Sequence, residues 1–451
     1  MPILKKKTKS LSPAKTLALG FLIIIFTGAF LLFLPFSSRN GEFTDFADCI
    51  FTAASATCVT GISVVDTYNH WTLFGQIVIM LLIQVGGLGF LTLVTFFNLA
   101  LGKKISFTQA SNASGDLTAT GLSSTKKIFM RVVLMSLSIE TVGACLFMVR
   151  LVPNYGGYGI FMSFFTAISA FCNAGFDLFG IEEAGIGMSI FISEPYMLIV
   201  TSFLIIIGGL GFIVWEDLLA YRKNKTLSLH SKVVLLMTAV LVIGVALVYM
   251  VVQAIETEIF GEYTLIQRIT TSFFASVSAR TAGFTAAPLP TASSFSKLFT
   301  ILVMLIGAAP GSTGGGIKVT TIAIIVATAW SVILGKNGTQ ILKHNVSKQV
   351  VYKTLTVLCL SLMFLITGFF LVHLLNSDCD SLDTLFEVAS AFSTTGFSSG
   401  LSENSSTATK LILSFIMFVG RIGPITLMMS FAGRNVRNKN EILPNGEIMV
   451  G

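Results

Sequence analysis

Four short apolar segments, each closed by a glycine, recur along this chain and restrict its fold more than any other feature. Aligned on that glycine they read FTAASATCVTGI (51–62), FTAISAFCNAGF (165–176), FFASVSARTAGF (273–284) and FEVASAFSTTGF (386–397). The glycines are Gly61, Gly175, Gly283 and Gly396, separated by 114, 108 and 113 residues. Each copy has a phenylalanine ten residues earlier: Phe51, Phe165, Phe273 and Phe386. A Ser-Ala pair holds one offset in three copies (Ser55-Ala56, Ser169-Ala170, Ser390-Ala391) and shifts by one in the third (Ser278-Ala279). Self-similarity at a near-constant period marks a repeat architecture.

The segments lie in an oily chain. Of 451 residues, 53% are hydrophobic and 11% charged, where soluble domains carry about 25% charged residues. A polytopic membrane protein follows. The N-terminal KKKTKS and LALGFLIIIFTGAFLLFL imitate a signal peptide, but the apolar stretch is long and no A-x-A site follows, so it reads as a retained first helix. Long apolar runs predict spanning helices near 17–36, 72–101, 128–152, 195–221, 233–255, 297–333, 354–375 and 409–432. The short segments, near 45–58, 159–172, 264–279 and 382–393, cannot span at 1.5 Å rise per residue. They must dip in and return, which irregular backbone survives only where protein or water covers it.

The expected fold is therefore all-α: four tandem helix–pore loop–helix repeats around a central pseudo-fourfold ion pore. The repeats cover 1–102, 103–222 with a cytoplasmic linker, 223–335 with a broken second helix, and 336–434, followed by a tail at 435–451. Basic clusters at Lys5–Lys9, Lys103–Lys104, Lys126–Arg131, Arg222–Lys232, Lys336–Lys353 and Arg434–Lys439 fall on one side, which makes that side and both termini cytoplasmic. Sixteen of the 22 acids, among them Asp48, Asp66, Asp177, Asp383 and Glu387, fall on the other. A negative vestibule there concentrates cations.

Four re-entrant loops around one axis can aim backbone carbonyls at a shared point and replace the hydration shell of a cation, as in potassium-channel filters. The candidate filter residues are Val59, Thr60 and Gly61; Asn173, Ala174 and Gly175; Thr281, Ala282 and Gly283; and Thr394, Thr395 and Gly396. Glycine at the turn allows positive φ and close approach. The C-terminal ends of the short helices, partially negative, favour a cation at the centre. The GGLGF echoes in the following helices (QVGGLGFL, IGGLGFIV, VGRIGPIT) read as packing devices.

Two departures stand out. The third repeat carries LVMLIGAAPGSTGGGIKVTT, with Pro310, Gly311, Ser312, Thr313, Gly314, Gly315 and Gly316 in mid-span. No ordinary helix continues through it, at about 1 kcal/mol per Gly and 3 per Pro. Its unwound backbone should line a cavity below the filter as a flexible plug. It is not a Walker A motif, because Ile317 intervenes before Lys318. Arg421 replaces a glycine of the GGLGF echo between long apolar stretches, and a mid-membrane arginine marks an ion pathway by default. A salt bridge to Glu140 or Glu216 is the structural alternative. Arg280, inside the third loop, should point away from the axis and pin the loop from behind.

From SPAKTLALGF to PNGEIMVG, including all four loops, the chain resembles the membrane subunit of the Ktr/Trk/HKT superfamily of potassium transporters, of the bacterial KtrB/KtrD type. The resemblance implies four fused channel-like repeats, a homodimer in the bacterial plasma membrane, and a cytosolic ring of nucleotide-binding (RCK/KTN-type) subunits. It implies K+ at the filter carbonyls, Na+ as a possible modulator, and no cofactor in this chain, with nucleotide only on the partner. It places Arg421 near the glycine-rich loop, as an electrostatic barrier or as a clamp on loop carbonyls, and makes that loop a gate. In plant relatives a serine in the first loop goes with sodium preference; here that position is Gly61. The regulatory ring would dock on the basic face, including the 103–127 loop and the C-terminal tail.

An alternating-access cation symporter is the competing reading, but four same-sense repeats argue against inverted-repeat transporters. An enzyme is not expected: His70, His230, His344 and His373 are scattered, with no nucleophile or metal-ligand spacing. Cys49 and Cys379 fall near the same face, and free thiols are expected.

Overall fold

The structure is a computed structural model that describes residues 12–89, 122–286 and 293–431. The basic clusters at Lys5–Lys9, Lys103–Lys104 and Arg434–Lys439, the end of the second predicted helix and the C-terminal tail lie outside the described residues. So does most of the 103–127 linker.

The first repeat holds α1 (Pro13–Phe33), the short α2 (Phe46–Cys58) and α3 (Leu73–Leu88). In the second, α4 runs from Leu122 to Cys172 and is broken at Gly156 (φ 56°), so that its second limb is the short helix; α5 (Pro195–Leu210) and α6 (Phe212–Asn224) follow. The third contains α7 (Leu229–Ile255), the short α8 (Leu265–Ser278), α9 (Ser294–Leu305) and α10 (Val319–Ile333). The fourth contains α11 (Lys348–Leu375), the short α12 (Ser381–Ser393), α13 (Thr407–Ile422) and α14 (Pro424–Phe431). A small antiparallel hairpin, Gln340–Ile341 against His344–Asn345, links the last two repeats.

Burial separates the two helix kinds. Only 22–33% of the apolar windows in the spanning helices near Ala14–Phe33, Met130–Cys172, Leu229–Ile255 and Lys348–Leu375 are buried, which suits helices bathed in lipid. The short helices are buried toward their C-terminal ends, although the third exposes Leu265, Ile266 and Ile269 at its start; Phe51, Phe165 and Phe386 are wholly enclosed. In the third repeat the enclosed ring belongs to Phe274 rather than the aligned Phe273. The shift matches that of Ser278: Phe and Ser stay four residues apart in every copy, and the third repeat has one residue fewer between serine and glycine. The helix is the unit that repeats.

Two of the eight expected long helices, 195–221 and 409–432, are sharply bent, and 72–101 is described only as far as Gly89. Four described helices are long and apolar enough to span, or six if each bent pair is one span. The second helix is interrupted in the second and fourth repeats as well as in the third. α5 turns into α6 through 93° at Gly211, and α13 into α14 through 98° at Gly423. α3 ends at the equivalent Gly89. All three glycines have φ between 82° and 89°, a conformation that closes a helix.

Each break is set by a backbone contact one turn earlier. A Cβ at Gly86, Gly208 or Gly420 would lie 2.0, 1.9 and 1.9 Å from the carbonyl oxygens of Thr57, Phe171 and Phe392, at the ends of the first, second and fourth short helices. The first glycine of each GGLGF echo is thus a packing device, as expected, and it presses the second helix onto the loop it follows.

Candidate functional site

All four short helices end at one place. α2, the second limb of α4, α8 and α12 finish at Cys58, Cys172, Ser278 and Ser393, and the chain then turns through a left-handed residue at Val59, Asn173, Thr281 and Thr394 (φ 52–73°). The glycines two residues on also have positive φ, from 71° to 103°. A Cβ at Gly61 would lie 2.4 Å from the Ala174 carbonyl oxygen, at Gly175 2.6 Å from Ala282, at Gly283 2.2 Å from Thr395, and at Gly396 2.2 Å from Thr60. Real Cβ atoms do not approach so closely, so the four loops form a closed ring, 1 to 2 to 3 to 4 and back to 1, that admits only glycine.

Hydrogen bonding within the ring is one-sided. The N–H groups of Thr60, Ala174 and Thr395 turn back to Ser55, Ser169 and Ser390 carbonyls (2.8, 2.8 and 2.9 Å), and Ala282 donates to the Ser278 carbonyl (3.0 Å). Gly61 and Gly396 donate to the hydroxyls of Ser55 and Ser390 at 3.1 Å. In the third loop, one residue shorter, Ser278 Oγ donates to the Phe284 carbonyl at 2.7 Å. Most donors are consumed, the N–H groups of Gly175 and Thr281 being the exceptions among the described residues; the acceptors are left. The eight carbonyls of residues 59–60, 173–174, 281–282 and 394–395 accept no hydrogen bond among the described residues, although every one of these residues is buried. Buried acceptors normally find partners. Eight buried carbonyl oxygens without a donor, at the partially negative ends of four helices, make an electron-rich ring, a setting that suits a cation better than an anion.

The glycine-rich segment lies against this ring. A Cβ at Gly314 would meet Thr281 Oγ1 at 2.2 Å and one at Gly315 would meet Thr394 Oγ1 at 2.2 Å, the left-handed residues of the third and fourth loops. Thr313 Oγ1 donates to the Phe171 carbonyl at the end of the second short helix (3.2 Å). The composition suggests a flexible segment; the structure shows one tied by backbone hydrogen bonds. Ala309 donates to Gly209, Phe212 to Gly311 and Gly307 to Ile317, at 3.1, 3.0 and 2.7 Å.

Two cations complete the tie. Arg421 donates to the carbonyls of Thr313 in the loop and of Gly86 at the end of α3, with a longer bond to Gly87 at 3.5 Å. The salt-bridge alternative does not apply: Glu140 accepts from Gln84 (2.9 and 3.1 Å), and Glu216 faces Arg131 at 3.6 Å. Lys318 Nζ donates to the carbonyls of Gly314 and Gly315 (2.6 and 3.2 Å). Sequence reading used Lys318 only to dismiss a Walker A motif; a lysine ending a glycine run inside an apolar span was the available signal. Arg280 is buried, and its Nε has no hydrogen-bond partner among the described residues, so the expected pinning of the loop is not seen as a hydrogen bond there.

The acids divide on inspection. Glu387 is fully buried and accepts from Ser398 Oγ (2.9 Å), Ser399 N (2.8 Å), Ser399 Oγ (3.1 Å) and Ser402 Oγ, so it pins the segment after the fourth loop and does not line a vestibule. Asp48 and Asp383 are paired with Lys410 and Lys297. Asp66 caps a turn through Tyr68 and Asn69 N–H. Asp177, two residues past Gly175, is half-buried and accepts from Phe179 N at 3.0 Å; burial, with a smaller push from Asp66, raises its carboxyl to about 6. All six cysteines are free thiols, and no His/Cys/Asp/Glu cluster suited to a metal occurs among the described residues.

Residues 10–438 match the TrkH family, described as a cation transport protein. The chain belongs to this family of cation transporters. It is 36% identical over 458 residues to the potassium/sodium uptake protein NtpJ of Enterococcus hirae, with both chains covered entirely. It is 38% identical over 444 residues to the Ktr system potassium uptake protein B of Bacillus subtilis, covering 98% of this chain and 97% of that one. Among solved structures, the potassium transporter TrkH from Vibrio parahaemolyticus superposes with a TM-score of 0.73 over 96% of this chain and 87% of that one, at 17% identity, which shows a shared fold.

Proposed function

We propose that this chain is the ion-conducting subunit of a potassium-uptake system in a bacterial plasma membrane. One observation carries the reading: eight carbonyl oxygens of buried residues, in four glycine loops that abut one another in a ring, accept no hydrogen bond among the described residues. Carbonyl dipoles in that arrangement substitute for the water around a monovalent cation. Two relatives, a potassium/sodium uptake protein and a potassium uptake protein, agree with it.

In the proposed mechanism a cation enters past Asp177, sheds water at the ring and meets the loop 310–316 held by Arg421 and Lys318. Each loop contributes one glycine, which leaves few stacked sites and moderate discrimination against sodium. Conduction requires the loop to leave the axis. Cytosolic nucleotide-binding subunits, docked on the basic face of a homodimer, supply that displacement, and sodium acts with them as a modulator.

The test is growth. Expression of this chain in a bacterium lacking its own uptake systems should restore growth at low potassium, and coexpression of the regulatory subunit or added sodium should enhance it. Failure to rescue under all four combinations, with the protein present in the membrane, would contradict the proposal.

A further inference from the structure

A second set of contacts runs around the bundle in the same sense as the glycine ring, at the opposite ends of the short helices. Tyr158 Oη, in the second limb of α4, donates to Gln76 of α3 at 2.8 Å. Gln267 of α8 donates to Ser193, just before α5, at 3.1 Å. Lys297 of α9 pairs with Asp383 of α12 at 2.5 Å, and Lys410 of α13 with Asp48 of α2 at 2.6 Å. Each contact joins the start of one repeat's second helix to the start of the next repeat's short helix. Gln76, Lys297 and Lys410 lie ten residues before Gly86, Gly307 and Gly420, and Asp48 and Asp383 lie thirteen before Gly61 and Gly396, so both ion pairs keep the register of the repeat, whereas Tyr158, Ser193 and Gln267 do not.

The belt is not uniform. Its 1–2 and 2–3 joints are neutral hydrogen bonds; its 3–4 and 4–1 joints are ion pairs, with the lysines only 17% and 12% exposed. The glycine ring has the same asymmetry. Added Cβ atoms would sit 2.2 Å from the next loop at the 3–4 and 4–1 joints, against 2.4 and 2.6 Å at the neutral ones. A short helix of 13 residues is a rod about 20 Å long, and a close-packed interior transmits displacement along it.

We infer that Lys297 and Lys410 are positioning residues for ion selection: through Asp383 and Asp48 they fix where the fourth and first short helices start, and so how closely loops 3, 4 and 1 approach. This rests on the reading of the glycine ring as the filter. Neither lysine touches the ion. Losing an ion pair lets its helix tilt, the oxygens spread, and the preference between two cations of different radius decays.

The experiment uses the full chain in liposomes, with rubidium influx competed by rising sodium. Lys410→Met and Lys297→Met should each make sodium compete about five-fold better, the change that ~1 kcal/mol produces. The charge-swapped pair Asp48→Lys with Lys410→Asp should restore the wild-type ratio. Arg150→Met serves as the control, because the Arg150–Glu194 pair is equally short at 2.5 Å but lies within one repeat; it should leave the ratio unchanged. Gly61→Ser is run alongside. If it degrades selectivity while both lysine variants do not, the belt proposal fails and the filter stands; if Gly61→Ser has no effect, the filter reading fails and the belt with it. Should a methionine variant not assemble, the swapped pair decides alone: wild-type selectivity supports the belt, and loss of selectivity in a folded protein overturns it.

Discussion

Gly61→Ser is expected to reduce the preference of this protein for potassium over sodium by roughly ten-fold, the change that ~1.4 kcal/mol produces. A serine brings a Cβ to a point 2.4 Å from the Ala174 carbonyl oxygen and 3.1 Å from the Gly175 Cα. It must also hold φ at 94°, which costs a side-chain-bearing residue about 1–3 kcal/mol. The first loop relieves both by moving away from the second, and the oxygens of residues 59–60 and 173–174 no longer match one radius. The serine hydroxyl adds a small, hard oxygen ligand beside the axis, which suits the smaller ion. Competition of sodium with rubidium influx measures the change; an unaltered ratio would remove Gly61 from the filter.

Arg421→Ala should raise flux in the absence of any regulatory partner by about ten- to a hundred-fold. Its bonds to the Thr313 and Gly86 carbonyls join the loop to the first repeat. A hydrogen bond to a charged group contributes about 1.5–3 kcal/mol, and one such bond lost shifts the loop's equilibrium by that range of factors. Removing residues 311–316 should go further, because it deletes the backbone that faces Thr281 and Thr394. Lys318 remains after Arg421→Ala and still holds the loop's Gly314 and Gly315 carbonyls, but it makes no bond to the first repeat and so does not replace the one that Arg421 supplied. Valinomycin-calibrated rubidium influx into vesicles reads both variants. Wild-type flux in both would show that this loop does not gate.

The parts of this account legible in the sequence were those where one residue type is expensive anywhere else. Four glycines in register, proline and glycines in a span, and an arginine at mid-depth each violate a local rule of membrane helices, and each proved to lie at the ring or against it. What escaped reading was geometry that ordinary residues share. Gly211 and Gly423 look like packing glycines, yet they turn the chain through 93° and 98°. Nothing in FFASVSARTAGF tells Phe273 from Phe274, because an absent loop residue leaves no trace in composition. Glu387 counts as one more outer acid until the serines at 398, 399 and 402 are folded around it. Lys297 and Lys410 belonged to no basic cluster; their meaning lies in acids 86 and 362 residues away.

The central claim is that a monovalent cation is held by the four-loop ring. A structure determined in rubidium chloride, with data collected at the rubidium absorption edge, tests it most directly. The account predicts an anomalous peak on the axis, about 3 Å from carbonyl oxygens of residues 59–60, 173–174, 281–282 and 394–395. A ring without rubidium, together with a peak between the helices elsewhere at mid-depth, would contradict it.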